Sequence, residues 1–400
     1  MGCNWREVAL GDLGKVVGGA TPSTRNPDYW NGDIAWLSPK DLTGYKKRYI
    51  ARGERSITRA GFNSCAAQLL PRGSVLFSSR APIGYVAIAA AELCTNQGFK
   101  SIVPNSRVDS LFLYYLLRYS TGRIESQGSG TTFKEVSGKT MRNIAVNIPE
   151  DLRVQKKIAA ILDAIDSKIE LNNQLNDYLA LLVDLEFAKR FDAETSITPL
   201  KNVLSISTKS LKPQQHPGEI WEHYSIPAFD EARWPTFEPA DDIKSNKYIV
   251  DSNSILISKL NPSIKRMWVP TCLTDKAVCS TEFIVYKPLE PKRKSFYRAA
   301  INAAGFTAYL LEHVTGSTGS RQRTNPKATL DYPMPNPGNA EIDAFCDFAN
   351  PIYQQVQCKQ IESQYMKSLR DSLLPKLMSG EIDISKVELP TQPNNHLVAD

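Results

Sequence analysis

Apolar residues recur at helical spacing in two long stretches of the chain. In the two blocks that precede them they come in short runs broken by turns. From Gln155 to Arg190, Ile158, Ile161, Leu162, Ile165 and Ile169 are three or four residues apart. Leu175, Leu179, Leu182 and Leu185 extend the run, and no Gly or Pro interrupts it. That period predicts an amphipathic helix longer than an ordinary globular one. A second stripe runs from Ile342 to Leu374 through Phe345, Phe348, Ile352, Val356, Ile361, Tyr365, Leu369 and Leu373. Pro351 predicts a kink or break near its start, because a helical Pro removes a hydrogen bond and crowds the preceding turn. Pro375 and Gly380 predict its end.

The block before the first stripe alternates strand-like and helix-like runs. Gly32–Leu37, Gly73–Arg80, Tyr85–Ala89, Phe99–Val103 and Ile144–Ile148 read as strands. Asp109–Arg118 reads as a helix with its N-cap at Asp109 or Ser110. The second block repeats the plan. Val75–Arg80 is answered by Ile255–Leu260, Phe99–Pro104 by Phe283–Pro288, and Leu111–Leu117 by Phe306–Leu311. Gly128, Lys139 and Pro149 recur as Gly316, Lys327 and Pro337, 188 residues on in each case, which marks an internal duplication.

The expected fold class is therefore α+β, of mixed α/β type, with two similar domains and pseudo-twofold symmetry. The expected segments are residues 1–149, a helical spacer 150–195, residues 196–337, a second helical spacer 338–382, and a polar tail 383–400. Neither helix has anything within its own segment to cover its stripe, so the two are expected to pack as an antiparallel coiled coil. Ile158, Ile161, Leu162, Ile165, Ile169, Leu175, Leu179, Ile352, Val356, Ile361, Leu369 and Leu373 are its candidate contact residues, within the chain or with a partner. Asn172 and Asn173 interrupt the first stripe, either to pin the register or as solvated positions.

Charge follows the same division. Residues 1–150 hold 19 Lys and Arg against 11 Asp and Glu, and residues 196–337 hold 18 against 13. The helical segments are acidic, with 6 against 9 over 151–195 and 5 against 9 over 338–400. Two basic blocks in matching positions point to a polyanion such as nucleic acid. No apolar run approaches the roughly 20 residues that span a bilayer. No signal-peptide pattern opens the sequence, so a cytoplasmic location without a membrane partner is expected. Seven irregularly spaced cysteines without Cys-x-x-Cys fit free thiols. His216 and His223 flank Glu219 and Glu222 without metalloprotease order, so no metal or cofactor is expected.

Catalytic motifs fail on inspection. Ser137-Gly138-Lys139-Thr140 resembles the end of a Walker A loop, but Phe133 stands where the first Gly is required. Asn350-Pro351-Ile352-Tyr353 lacks the second Pro of the amino-methyltransferase loop, and no Gly-rich cofactor turn occurs elsewhere. Asp163, Asp166 and Lys168 echo a nuclease carboxylate-and-lysine set, but they share one helix, where a solvated face explains them better. What remains is binding. The two Gly-rich loops carry Lys134, Lys139 and Arg142, and Arg321, Gln322, Arg323 and Lys327. These side chains pair with phosphates and base edges. Arg80 and Lys259, at the ends of matching strands, and Lys40, Asn96 and Gln97 are weaker candidates.

At this point the chain resembles the specificity subunit of type I restriction-modification systems. The resemblance spans nearly all of residues 5–385. It rests on Leu10-Gly11-Asp12-Leu13, on Pro149 followed by Gln155-Lys156-Lys157-Ile158-Ala159-Ala160-Ile161-Leu162-Asp163, and on Leu373-Leu374-Pro375-Lys376-Leu377-Met378-Ser379-Gly380-Glu381-Ile382. It implies that the two domains are target-recognition domains, each reading half of a bipartite site in double-stranded DNA. It also implies that the paired helices dock two methyltransferase subunits, and that ATP-dependent restriction subunits join them. Catalysis then belongs to the partners. The contrasting reading is a self-contained methyltransferase or nuclease with its own target-recognition domains. At about 1.5 Å per residue the helices would extend about 60 Å and act as a ruler between half-sites. The second repeat departs from the pattern, with Asn336-Pro337-Gly338-Asn339 and no Gln-Lys-Lys-Ile, so a different helix start or tilt is expected there.

Overall fold

A computed structural model describes residues 4–130, 134–315, 322–384 and 387–388. Two compact units emerge, one formed by Met1–Leu171 with Ser363–Asp400 and the other by Asn172–Glu362. Both boundaries fall inside the long helices, which run Leu152–Phe191 and Asn339–Met378.

In the first unit, Trp5–Ala9 pairs antiparallel with Ala145–Pro149, the strand that leads into the central helix. A five-stranded sheet has the order Gly14–Gly18, Lys100–Pro104, Val75–Ser79, Ile83–Ala89, Tyr49–Ile50. Its middle strand, Val75–Ser79, is buried throughout, which explains its unbroken run of apolar and small residues. A smaller sheet joins Arg55–Ile57, Trp30–Leu37 and Cys94–Thr95. The helix Ser110–Ser126 begins where expected: Asp109 Oδ1 accepts from the N–H groups of Leu111 and Phe112, both at 3.0 Å. It buries Phe112, Leu113, Leu116 and Leu117 in one core with Ile158 and Leu162 of the central helix and Leu377 and Met378 of the C-terminal helix.

The second unit is built on the same plan. Ile197–Pro199 pairs with Pro333–Pro335. A four-stranded sheet has the order Leu204–Ser207, Phe283–Pro288, Ile255–Ser258, Met267–Trp268. In its other sheet, Ile220–Tyr224 runs parallel to Ala277–Ser280, as Trp30–Leu37 does to Cys94–Thr95. Its core gathers Phe187, Phe191, Phe296 and Phe345, whose rings meet edge-to-face or tilted.

The long helices run antiparallel in each unit. Asp166 meets Arg370 in the first, and Asn172 meets Glu362 while Phe187 meets Phe345 in the second. Ile158, Leu162, Ile165 and Ile169 are buried, and Ile161 and Leu373 pack partly buried on the first core. Val356 is buried and Ile352 packs on the second core, while Leu175, Leu179 and Ile361 are half-buried. Leu369 lies off the seam and is exposed, as are Leu182 and Leu185. Beyond Leu179 the buried positions are Val183, Phe187 and Phe191, four residues apart, and the larger aromatic rings displace the leucines from the core.

Four expectations are corrected or settled. The C-terminal helix continues through Pro351 and Pro375. Around Pro351, Phe345 and Ala349 are buried, and Ser295 Oγ donates to Asn350 Oδ1 at 2.6 Å, so tertiary packing overrides the lost backbone bond. Its start at Asn339 lies within one residue of the place that the 188-residue offset assigns from Leu152. Asp166, expected on a solvated face, is buried and accepts from Tyr115 Oη (2.9 Å), Arg118 (3.3 Å) and Arg370 (2.7 Å). Of the two asparagines, Asn172 is buried and donates to Glu362 at 3.0 Å, whereas Asn173 is half-buried.

Candidate nucleic-acid interface

In the first unit the strand Val75–Ser79 ends beside the Gly-rich loop. Ser129 and Glu135 exchange backbone bonds (3.0 and 2.9 Å), and Val136 N–H donates to the Ser79 carbonyl (3.0 Å). On the other side Ser79 N–H donates to the Gly98 carbonyl (2.7 Å). This junction gathers several side chains. Lys100 Nζ lies 3.3 Å from one oxygen of Glu135, and Arg80 lies 3.5 Å from the other. Asn96 Oδ1 holds Gly98 N–H at 2.8 Å, and Thr21 donates to Gln97 at 2.5 Å. A Cβ on Gly98 would come within 2.8 Å of Pro39, so the loop carrying Lys40 packs directly against this turn.

The second unit repeats both strand-end bonds of this junction. Lys259 N–H donates to the Glu282 carbonyl (2.9 Å), and Thr324 N–H donates to the Lys259 carbonyl (3.0 Å). Val314–Thr315 pairs with Arg323–Thr324, as Ser129 pairs with Glu135. Asn261 N–H donates to the Gln322 carbonyl (3.0 Å). Arg323 forms a fork on Glu282, Nε at 3.0 Å and one terminal nitrogen at 3.1 Å. That carboxylate raises the pKa of the guanidinium above its ordinary value.

The sequence candidates are thus largely brought together. Arg80, Asn96 and Gln97 lie at the first junction with the Lys40 loop beside them, and Lys259, Gln322 and Arg323 lie at the second. Lys134, Lys139 and Arg142 are exposed on the segment that leaves the first loop. Ser137 caps the short helix Gly138–Asn143 by accepting from Thr140 N–H at 3.0 Å, which gives the Walker-like motif a structural role. Lys40 is exposed and pairs with Glu54 at 3.1 Å. Lys327 is exposed beyond the second loop. Arg321 lies outside the described residues, with the Gly316 end of that loop. The register matches Lys259 to Ser79 rather than to Arg80, which is matched by Leu260. Sequence reasoning missed Lys100, Glu135 and Glu282. A search for cations alone passes over carboxylates, and Lys100 was absorbed into a strand.

Among the described residues no cluster of three metal-ligating side chains occurs, and no helix is long and apolar enough to cross a membrane. The described cysteines are free. His223 turns to Glu238 and His216 to Glu219, so they do not converge. Glu222 is buried and accepts from Tyr224 Oη and Thr274 N–H.

The model of the type I restriction modification DNA specificity domain family matches residues 3–180. The specificity subunit of the type I restriction enzyme MjaIX of Methanocaldococcus jannaschii is 30% identical, over 96% of this chain and 95% of that one. The EcoR124I/EcoR124II specificity subunit of Escherichia coli is 26% identical over 44% of each chain. The crystal structure of a type I restriction-modification S subunit from M. genitalium superposes with a TM-score of 0.58 at 15% identity, covering 94% of this chain and 96% of that one, a likeness of fold.

Proposed function

The chain belongs to the type I restriction-modification specificity subunits, and on that premise we propose that it reads a two-part, asymmetric site in double-stranded DNA, one half per recognition domain. Residues 1–149 and 196–337 are the recognition domains, 150–195 and 338–382 the helical spacers, and 383–400 a polar tail. The observation that carries this reading is the duplicated junction of strand end and Gly-rich loop, with different side chains on the same backbone frame in each unit. A shared frame with unlike side chains suits two readers of unlike sequence. Lys40, Arg80, Asn96, Gln97, Lys134, Lys139, Arg142, Lys259, Arg321, Gln322, Arg323 and Lys327 are the proposed contacts to bases and phosphates.

The chain itself supplies recognition, and methyl transfer and cleavage belong to its partners. Asp163 and Asp166, the nuclease-like carboxylates, are engaged by Arg48 at 2.5 Å and by Arg370 and Arg118. Two methyltransferase subunits dock on the helices, and restriction subunits complete the complex in the cytoplasm. Tyr178, Leu181, Leu182 and Leu185 form an exposed apolar strip at helical spacing on the second unit's part of the central helix, suited to such a partner.

The test is footprinting of the full chain with its methyltransferase subunits on DNA. Two protected elements, with any sequence tolerated between them, are expected. One continuous element, or no protection, would overturn the reading.

A further inference from the structure

Glu135 and Arg323 occupy the same backbone position in the two units. Each precedes the residue whose N–H binds the strand end, Val136 to Ser79 and Thr324 to Lys259. Each is paired with the matching residue of its loop, Ser129 or Thr315. The charge at that position is reversed. In the first unit the loop supplies the carboxylate and the sheet side supplies the cations, Lys100 and Arg80. In the second the loop supplies the guanidinium and the sheet side supplies Glu282. Glu282 matches Gly98, because Lys259 binds its carbonyl as Ser79 binds that of Gly98. Pro39 fills the space where a side chain on Gly98 would begin, so the first unit has no room for an acid there.

The Arg80–Glu135 and Arg323–Glu282 pairs reach the surface, with Lys100 more deeply set behind Glu135. Glu135 and Arg80 are more than a third exposed, and Arg323 is 45% exposed over Glu282. Exposed ion pairs contribute little, so a nucleic-acid edge of matching pattern can part them at small cost. A carboxylate only accepts hydrogen bonds, and a guanidinium or ammonium only donates them. In the major groove a G·C pair offers O6 and N7 acceptors on guanine beside the N4 amino donor on cytosine. An adjacent cation and carboxylate match both halves of that one base pair.

Building on the proposed function, we infer that each junction reads one G·C pair of its half-site, Arg323 with Glu282 in one and Lys100 or Arg80 with Glu135 in the other. The reversed charge makes the guanine fall on opposite strands relative to each domain's own frame. Arg323 and Glu135 are thereby specificity-determining residues of the loops, and Glu282 and Lys100 their complements on the sheet.

The test is selection of double-stranded DNA from a random library by the full chain with its methyltransferase subunits, followed by sequencing. The wild type selects two half-sites, each with a G·C pair. Arg323→Ala lowers the preference for G·C at one position of one half-site by roughly 10- to 100-fold, the range of a single good bidentate contact, and leaves the other half intact. Glu135→Gln does the same at one position of the other half-site. The double variant Glu282→Arg with Arg323→Glu keeps an ion pair, and with it the local fold, and exchanges G·C for C·G at its position. Thermal unfolding verifies that each variant is folded. Two half-sites whose base preferences do not change in any folded variant would overturn the assignment and leave the proposed function standing. A wild type that selects no two-part site would overturn both.

Discussion

Gln155 and Asp343 stand 188 residues apart, the offset of the duplication, and each joins a long helix to its own domain by different chemistry. Gln155 is fully buried. Its side-chain oxygen accepts from Asp109 N–H at 3.0 Å, and its amide nitrogen donates to the carbonyls of Pro149 at 2.9 Å and Arg107 at 3.1 Å. Asp343 instead holds Arg293 at 2.8 and 3.3 Å, and Asn339 holds the same guanidinium at 2.8 Å. The absence of Gln-Lys-Lys-Ile from the second repeat is thus a change of joint rather than a loss of it. Gln155→Ala strands the buried Pro149 carbonyl, at a cost of about 1–3 kcal/mol, and loses two part-buried backbone bonds as well. A marked drop in the denaturant midpoint of unfolding is expected. Asp343 is half-exposed, and Asn339 and Glu290 still hold the buried Arg293 without it, so Asp343→Ala should cost less and depend more on salt. Equal losses in the two variants would contradict this distinction.

Asp166 is the hub of the first unit's helix pair. It accepts from Arg370, Arg118 and buried Tyr115, and Asp163 and Glu170 on the same helix hold buried Arg48. Burial raises the Asp163 pKa, and Arg48 opposes that rise. Removing one partner of a buried charge network leaves the rest uncompensated, so Asp166→Ala should cost about 3–5 kcal/mol. Arg370→Leu leaves Asp166 with two donors and should cost less. Arg118→Leu should cost least, because Arg118 is the most exposed of the arginines on this network. Equilibrium unfolding of the three variants gives the order directly, and the reverse order would refute the hub.

Much of this fold was legible because it rests on local pattern. The strands Val75–Ser79 and Phe283–Pro288 are apolar runs bounded by turns, and Asp109 is an N-cap placed before an apolar helix. The stripe on the central helix was legible as far as Ile169. Past Leu179 it was not, because which of Leu182, Val183, Leu185 and Phe187 faces inward depends on the rings of Phe296 and Phe345, far away in sequence. Asp166 read as solvated for the same reason: Arg118 and Arg370 lie 48 and 204 residues away. Pro351 looked like a breaker because propensity is local and the packing that overrides it is not. At the two strand-end junctions, charge and loop composition pointed to Arg80 and Arg323, but only the fold brings Glu135 and Glu282 to them.

Asn172, itself buried, interrupts the second unit's helix seam with a part-buried hydrogen bond to Glu362, which also accepts from Lys359 at 2.8 Å. A polar contact in an apolar seam fixes register at some cost in stability. Asn172→Leu should therefore lower global stability by less than the roughly 1.5–3 kcal/mol that a hydrogen bond to a carboxylate contributes, because the added apolar contact offsets part of the loss. Hydrogen–deuterium exchange over residues 172–183 should nevertheless quicken as alternative registers are admitted. An unchanged exchange pattern would mean that the apolar residues alone fix the register.

His223 makes the second unit sensitive to acid. It lies in the strand Ile220–Tyr224, with Nδ1 3.3 Å from Glu238 and Nε2 buried without a hydrogen bond among the described residues. Burial lowers its pKa below the usual 6.5. Glu238 opposes that shift, and Lys247 adds to it. Because the folded pKa lies below the unfolded one, the unfolded chain binds the proton more readily. The stability contribution is complete above pH 6.5 and is lost as the pH falls through that value towards the folded pKa. The melting temperature should decline between about pH 7 and pH 5, a window in which Asp and Glu, with ordinary values near 4, contribute little of the slope. His223→Gln cannot titrate, so its profile over the same window should be flatter. A His223→Gln profile as steep as that of the wild type would place the acid sensitivity elsewhere.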